Sequence, residues 1–310
     1  MSETNLSPSV PLDISTIVGS IANSPEYQRN HEEGYSTERA LSRAALEMAG
    51  MDRQTTLEDV FELETKGASQ EQALNGLVGM MPSFVHSLEG IRQYHTEKTL
   101  SYKEFRAMKA RATRFNHSVK SLIEHNPSLT VDNIVDVVTT LYGVLNRDRW
   151  GDDRQGFETE AGQFKQSFEG RLRGMQQEVI TLQIIDEINQ IKPVINKNTG
   201  QTRPRITVNP HVSAEDDLRG VDMYVTLDGV TFPIDIKASD RTAENTRRKS
   251  THPMAIITTG ITAHELGSSL RASNWQARKV APSLLEKLYA ARAEFLAAQA
   301  SASQSVAQAA

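Results

Sequence analysis

The sequence predicts a mixed α/β fold (α+β, with a mixed sheet) in its C-terminal half and a separate all-helical domain before it. Residues 36–146 carry a succession of helix signatures with almost no strand signal. A long helix is predicted over about 158–191, and short β-like segments follow Pro193. Helices combined in this way with the strands of one sheet indicate a mixed architecture.

The boundary between the two parts is expected near residue 150. The stretch "NRDRWGDDRQG" concentrates charge and glycine between two periodic runs, which is typical of a connecting segment. We therefore predict a helical N-terminal domain for recognition or assembly over 1–150, and a mixed α/β domain over 151–298. The small-residue tail 299–310 is expected to be disordered.

Helix ends in the first domain carry clear sequence signals. Ser36 precedes the run "TERALSRAALEMAG", in which Gly50 can adopt the left-handed conformation that closes a helix. Ser101 and Glu104 have the spacing of a capping box. These signals predict that the N-terminal domain is compact and helical.

Composition excludes several classes of protein. The 310 residues include no cysteine, so disulfides, thiol catalysis and cysteine-ligated zinc or iron–sulfur centres are excluded. A net charge of −5 argues against a protein that coats nucleic acid by bulk attraction. No run approaches the roughly 18 apolar residues of a membrane span, and the opening lacks a signal-peptide pattern. We expect a cytoplasmic protein without membrane contact.

A hairpin is predicted in the stretch "GVDMYVTLDGVTFPIDIKAS". Asp228-Gly229 between alternating runs is typical of a two-residue turn, since both positions need positive φ. If Leu227 faces Val230, the register sets Asp222 directly opposite Asp235. Pro233 qualifies this register, because proline inside a strand indicates an edge or a bulge, and a bulge would slip the pair.

The predicted hairpin has one apolar and one polar face, because side chains alternate along a strand. The apolar face is expected to pack on the long helix, whose matching stripe is Phe164, Phe168, Leu172, Met175, Val179 and Leu182. The polar face is then presented to solvent and carries the charged residues Asp222, Asp235 and Lys237.

Two facing carboxylates repel one another, at a cost of up to about 1 kcal/mol for a cross-strand pair. A divalent cation would remove that repulsion, and Mg²⁺ prefers oxygen ligands of this kind. Lys237 points to the same side, where its ammonium could orient a water or stabilise charge on phosphorus. The alternative is structural: such charges are normal on an exposed hairpin face, and Lys237 can simply neutralise the pair.

At these residues the sequence resembles the PD-(D/E)XK nuclease superfamily, which has the restriction-endonuclease-like fold. The family motif places an aspartate in one strand and Asp or Glu, any residue and Lys in the next; here these are Asp222 and "DIK" at 235–237. The family core runs helix, three-stranded meander, helix, strand, and residues 158–298 offer that order. Val221 stands where the family's proline is usual.

The resemblance implies a Mg²⁺-dependent nuclease, with Mn²⁺ as a possible substitute. Asp222, Asp235, Glu178 and the backbone carbonyl of Ile236 would hold the metal, and Lys237 would assist the attacking water. We expect a DNA endonuclease of restriction or defence type. The alternative is a nuclease-fold module that binds nucleic acid or assembles with a partner and has no catalytic activity.

Basic residues follow the proposed catalytic strand, where a phosphate backbone would be held. DNA is the expected partner ahead of RNA, and a homodimer is expected if both strands of a duplex are cut. For any single one of these residues, a solvated helix face is an equally good interpretation. They are Arg241, Arg247, Arg248, Lys249, Arg271, Arg278 and Lys279.

Overall fold

A computed structural model describes residues 14–50, 70–96, 100–126, 129–146, 150–195, 202–209, 219–249 and 254–309. The chain divides into two compact units, Met1–Arg171 and Leu172–Ala310. This division falls inside a long helix and not in the charged segment near residue 150. The secondary structure is mixed α/β, as the sequence predicts.

The first unit is built from helices wherever the structure describes it. Their bounds are α1 Ile14–Ala22, α2 Pro25–Glu32, α3 Thr37–Met48, α4 Gln70–Thr96, α5 Tyr102–His125, α6 Val131–Asn146 and the first part of α7 Arg154–Ile191. The predicted capping box at Ser101 and Glu104 is confirmed, with both reciprocal hydrogen bonds present. Gly50 has φ 71° at the end of α3, also as predicted. Ser36 is the N-cap of α3, but its side chain makes no capping hydrogen bond.

Aromatic rings form the centre of the first unit. Phe84 stacks on Phe115 with ring centroids 4.0 Å apart, and Tyr142 stacks on Phe164 at 4.4 Å. Phe168 packs edge-on against Phe84. The prediction that Phe164 and Phe168 cover the hairpin is therefore wrong. These rings gain more from offset and edge contacts with other rings than a flat sheet of aliphatic residues would give them.

The second unit contains the sheet. Its elements after α7 are β1 Val194–Ile195, β2 Thr202–Arg203, β3 Ile206–Asn209, β4 Met223–Leu227, β5 Val230–Lys237, α8 Asp240–Lys249, β6 Ala255–Thr258, α9 Ala263–Leu266 and α10 Asn274–Ala309. Four strands form a mixed sheet in the order β3-β4-β5-β6, and β1 pairs with β2 separately. The pairs β3–β4 and β4–β5 are antiparallel, whereas β5–β6 is parallel. The connection from β5 to β6 runs through α8.

The hairpin turn is confirmed, and its register is confirmed as far as the Met223–Ile234 pair. Asp228 has φ 49° and Gly229 has φ 79°, the left-handed conformation that a two-residue turn requires. Leu227 pairs with Val230, and the ladder runs without a slip to Met223 and Ile234. Every second pair exchanges hydrogen bonds, and the Tyr224–Pro233 pair is not one of these. Pro233 is tolerated because β4 does not need its missing N–H.

The apolar face of the sheet packs against α7 and α10. The isoleucines that α7 contributes to this core are Ile180, Ile184, Ile185 and Ile188. Among the predicted stripe residues only Leu182 packs against it, as a partly buried neighbour; Leu172, Met175 and Val179 are buried elsewhere. The sheet-covering stripe therefore begins further along α7 than predicted. The register of a helix on a sheet depends on the tertiary fit and not on periodicity alone.

Helix α10 is longer than the 282–298 predicted from the sequence. It begins at Asn274, where the Gln276 backbone N–H donates to the Ser273 hydroxyl at 3.2 Å, and it contains Pro282. It continues to Ala309, through the tail for which the sequence predicts disorder. Alanine is the best helix former, which favours this continuation. None of the described helices combines the length and the apolar character that crossing a bilayer requires.

Candidate active site

Asp235 and Lys237 lie on the face of β5 that points away from the aliphatic core, because Ile234 and Ile236 point into it. Asp235 is only 1% exposed, so the prediction that this face is presented to solvent is wrong here. Its parallel neighbour Ile256 is also buried. Helix α8, whose Ala243 is buried, contacts both β5 and β6, which accounts for the burial of Asp235 and Ile256.

Asp222 lies one residue before β4 and leaves the regular ladder. Its backbone N–H donates to the Ile234 carbonyl at 2.9 Å, and its Oδ2 accepts from the Ile236 N–H at 2.6 Å. In a regular continuation, Asp222 would face Asp235 across the strands without bonding to Ile236. The predicted directly opposed pair is therefore replaced by a carboxylate that takes a carbonyl's place in the ladder.

The carboxyl groups are nevertheless brought together. The charge of Asp235 acts on Asp222, and Asp235 forms an ion pair with Lys237. Glu178 of α7, half-buried, is close enough for its charge to act on Asp222. The four side chains predicted to carry the chemistry come from α7, β5 and the residue before β4. They are linked by charge interactions and are called the carboxylate cluster below.

Burial and like charge raise the pKa of both aspartates. For Asp222 the pKa lies well above its ordinary value, first because of burial and then because of the charges of Glu178 and Asp235. Burial also raises the pKa of Asp235, against the hydrogen bond and charge of Lys237 and the hydrogen bond with Asp222, which lower it. The pair therefore resists carrying two negative charges unless a further cation is present.

Ile236 supplies backbone groups to the cluster. Its N–H points at Asp222, and the N–H and C=O of one strand residue point to the same side of the strand. The Ile236 carbonyl therefore faces the Asp222 side too. This direction suits the ligand role that the resemblance implies for it.

The chemistry of the donors suits a hard cation such as Mg²⁺, because they are carboxylate and carbonyl oxygens. Within the described ranges, no group of three or more His, Asp or Glu side chains stands ready-made to hold an ion. The Lys237 ammonium occupies one side of Asp235 instead. These residues fit the metal by donor type and charge, and binding would exchange the lysine contact for a metal contact.

The predicted basic residues differ in their surroundings. Arg247 donates to the Ile256 carbonyl at 2.8 Å, and Arg278 is paired with Glu187 at 2.8 Å, so both already have partners within the fold. Arg241 is exposed, and the Lys279 ammonium lies over the exposed Trp275 ring at 5.2 Å. Arg271 is half-buried, and the side chains of Arg248 and Lys249 lie outside the described residues.

Sequence reasoning missed a set of buried polar residues beside the cluster. Gln177 directly precedes Glu178 and is 2% exposed, and its Oε1 accepts from the Thr259 hydroxyl at 2.6 Å. Thr258, which pairs with Lys237, is also buried. A helical glutamine and two threonines at a strand end carry no signal in one sequence, because their burial follows from the tertiary fold.

Comparisons of the chain with protein-family profiles, with curated proteins and with solved structures find no match.

Proposed function

We propose that the protein is a Mg²⁺-dependent nuclease that hydrolyses phosphodiester bonds, acting as a DNA endonuclease with a restriction-endonuclease-like core. The observation that carries the proposal is the buried Asp235–Lys237 ion pair on the strand whose Ile236 N–H holds the Asp222 carboxylate. Glu178 lies within electrostatic reach of Asp222. The element order α7, β3-β4-β5, α8, β6 supports the same family resemblance.

The energetics of the cluster favour a ligand over a purely structural role. Asp235 is buried and shares its site with Asp222. Among the described residues, Lys237 is the one cation whose charge acts on both aspartates. Burying like charges together destabilises a fold, and apolar residues of similar size are usually neutral or better at such places. A bound divalent cation converts this repulsion into affinity.

Each side chain has a definite role in the proposed reaction. Asp222, Asp235, Glu178 and the Ile236 carbonyl would hold Mg²⁺. When bound, the ion lowers the pKa of water and stabilises charge on a phosphoryl oxygen. Lys237, whose ammonium already contacts Asp235, would orient the attacking water or offset charge that develops on the phosphate. The Ile236 N–H keeps Asp222 in place through its bond to Oδ2.

The substrate would be held by exposed basic side chains of the same unit. Arg241 is exposed at the start of α8, four residues after Lys237, and Lys279 is exposed on α10. Contacts of this kind give affinity for the phosphate backbone without sequence choice. If both strands of a duplex are cut, we expect a homodimer, the simplest assembly with two sites.

A second candidate function is a nucleic-acid-binding or assembly module without catalysis. The observation in its favour is that Lys237 already neutralises Asp235 and that Asp222 already has a backbone partner. In that case the cluster is satisfied without a metal.

Cleavage assays separate the two candidates. Plasmid and oligonucleotide substrates are incubated with Mg²⁺ or Mn²⁺ and the wild type, Asp235→Ala or Lys237→Ala, with Glu286→Gln on the exposed face of α10 as a matched charge control. We expect each site substitution to lower the rate by about 10³-fold, the size typical of losing one charge-stabilising group. Activity that survives both substitutions rules out this site. If the wild type binds oligonucleotides but cleaves no DNA or RNA, the binding module is the better account.

A further inference from the structure

Two adjacent buried threonines lie where β6 ends, next to the carboxylate cluster. Thr258 is 6% exposed and Thr259 is 3% exposed. Each hydroxyl accepts one hydrogen bond and donates another, so each is part of a directional chain. Such chains fix the positions of the groups at their ends more closely than apolar contact does, because hydrogen bonds depend on angle and the hydrophobic effect does not.

The chain through Thr259 ends beside Glu178. The Ile261 N–H donates to the Thr259 hydroxyl at 3.2 Å, and that hydroxyl donates to Gln177 Oε1 at 2.6 Å. Gln177 is buried and is the residue immediately before Glu178 on α7. Its bond to Thr259 therefore fixes the rotation and axial position of α7 where the helix presents Glu178.

The chain through Thr258 ends beside Lys237. Lys287 of α10 donates to the Thr258 carbonyl at 2.9 Å and to its hydroxyl at 2.8 Å. The hydroxyl donates to Asp240 Oδ1 at 2.7 Å, at the start of α8. Thr258 pairs with Lys237 in the parallel ladder, and Asp240 follows Lys237 closely in sequence. The chain thus fixes both the strand end and the segment after it.

We infer that Thr258 and Thr259 are positioning residues for the carboxylate cluster. Thr259 sets Glu178 through Gln177, and Thr258 sets Lys237 through the β5–β6 ladder. This inference rests on the proposed function, because it assigns Thr259 to the proposed metal ligand Glu178 and Thr258 to the proposed catalytic residue Lys237. Removing a group that orients a metal ligand without binding the metal itself typically lowers metal affinity or activity by about 10- to 100-fold.

The two threonines are expected to act on different quantities. Thr259→Val keeps the shape but removes the hydroxyl, so Glu178 loses its support and Mn²⁺ affinity falls at least about 10-fold. Thr259→Ser restores most of this affinity. Thr258→Val acts on Lys237, which is not a ligand, so kcat for cleavage falls while Mn²⁺ affinity is kept. Calorimetric titration with Mn²⁺ alone measures the affinity, and steady-state cleavage measures kcat.

Asn189→Leu is the matched control. Asn189 also ties α7 to the sheet, through hydrogen bonds of 2.9 and 2.8 Å with the Ile206 backbone. It lies eleven residues beyond Glu178, which is roughly 16 Å along a helix. We expect Asn189→Leu to lower the melting temperature and to leave Mn²⁺ affinity unchanged.

The outcomes separate this inference from the nuclease proposal. If Thr259→Val lowers only the melting temperature, as Asn189→Leu does, the positioning role is overturned and the nuclease proposal stands. If the wild type binds Mn²⁺ without cleaving any nucleic acid, and Thr259→Val weakens that binding, the positioning of the metal site stands and the nuclease proposal falls. A wild type that does not bind Mn²⁺ overturns both. Should Thr259→Val fail to fold, Gln177→Met removes the same bond from the other side and is expected to weaken Mn²⁺ binding equally.

Discussion

The two units bury different kinds of side chain. In the first, the largest buried groups are aromatic rings, and the buried polar residues that the structure describes there are neutral: Ser24, Asn30, Asn75, Ser87 and Ser118. In the second, the core around the sheet is mainly aliphatic, and the buried polar residues include the carboxylates Asp235 and Glu187. The described core of the first unit is therefore held by the packing of apolar and neutral side chains, whereas the core of the second also contains buried carboxylates.

The contrast extends to how buried polar groups are satisfied. Asn30 accepts from the Arg43 guanidinium and donates to the Glu26 carbonyl, so its amide is matched. Glu187 is matched by Arg278. The cluster at Asp222 and Asp235 instead contains more negative than positive charge, with pKa values raised by burial. Excess charge retained at the expense of stability is typical of functional sites.

Phe84→Ala is expected to have the largest effect on stability. Phe84 is fully buried and contacts Phe115, Phe164 and Phe168, so its loss should lower the free energy of unfolding by about 3–5 kcal/mol. The cleavage rate per folded molecule should not change. Urea unfolding and a cleavage assay on the same sample measure both quantities. A fall in Mn²⁺ affinity of the folded protein would contradict the view that the aromatic core of the first unit does not affect the charged site of the second.

Gly79→Ala tests how tightly the first unit is packed. A Cβ at Gly79 would lie 2.9 Å from the backbone nitrogen of Leu46, and a backbone atom cannot move aside cheaply. We expect overpacking to lower the free energy of unfolding by about 1–3 kcal/mol. Thermal unfolding followed by circular dichroism provides the measurement. No loss of stability would mean that α3 and α4 can move apart at little cost, so that they are not tightly packed at Gly79.

The charge in the second unit makes stability depend on pH. Because the folded-state pKa of Asp222 and Asp235 is raised, the protonated form is favoured in the fold. Their contribution is therefore fully present below the ordinary aspartate pKa of about 3.9 and is lost as pH rises through the raised value. Asp222→Asn keeps an oxygen for the Ile236 N–H and removes the charge.

Metal-free wild type should accordingly lose stability relative to Asp222→Asn as pH rises from about 4. Urea unfolding of both proteins in EDTA across a pH series measures the difference, and added Mg²⁺ should stabilise only the wild type. A difference between the two proteins that stays constant with pH would contradict the excess of buried charge.

Gly174→Ala is expected to have the smallest effect and the opposite sign. Gly174 is exposed within α7, and a Cβ there meets nothing within 4 Å. Alanine should raise the free energy of unfolding by about 0.5–1 kcal/mol, because glycine weakens a helix interior. The paired measurement with Gly79→Ala sharpens the comparison, since the same substitution acts through sterics in one unit and through helix propensity in the other.

Local chemistry made the hairpin predictable from the sequence. Asp228-Gly229 fixes the turn, and the alternating apolar residues fix which face is buried, so the register to Met223 follows. The position of Asp222 does not follow, because its bond to the Ile236 N–H competes with the ladder only in the folded chain. The burial of Asp235 and the roles of Thr258 and Thr259 depend on α8 and α7, which no short stretch encodes.

The stripe on α7 could not be assigned for a related reason. The helix is 38 residues long and is apolar at helical spacing along much of its length. Periodicity shows that Phe164, Phe168 and Ile184 are buried, but not against which neighbour. The aromatic rings pack against other rings, and the isoleucines pack against the sheet.

Pro233 also has a consequence for the edge of the sheet. Strand β6 pairs with β5 only from Ile234 onward, so the start of β5 has one side without a neighbouring strand in the described sheet. The backbone nitrogen of Pro233 faces that side, and it has no hydrogen to donate. An incoming extended chain therefore cannot build a continuous ladder there. Pro233 thus disfavours edge-to-edge aggregation at β5, the strand that carries Asp235 and Lys237.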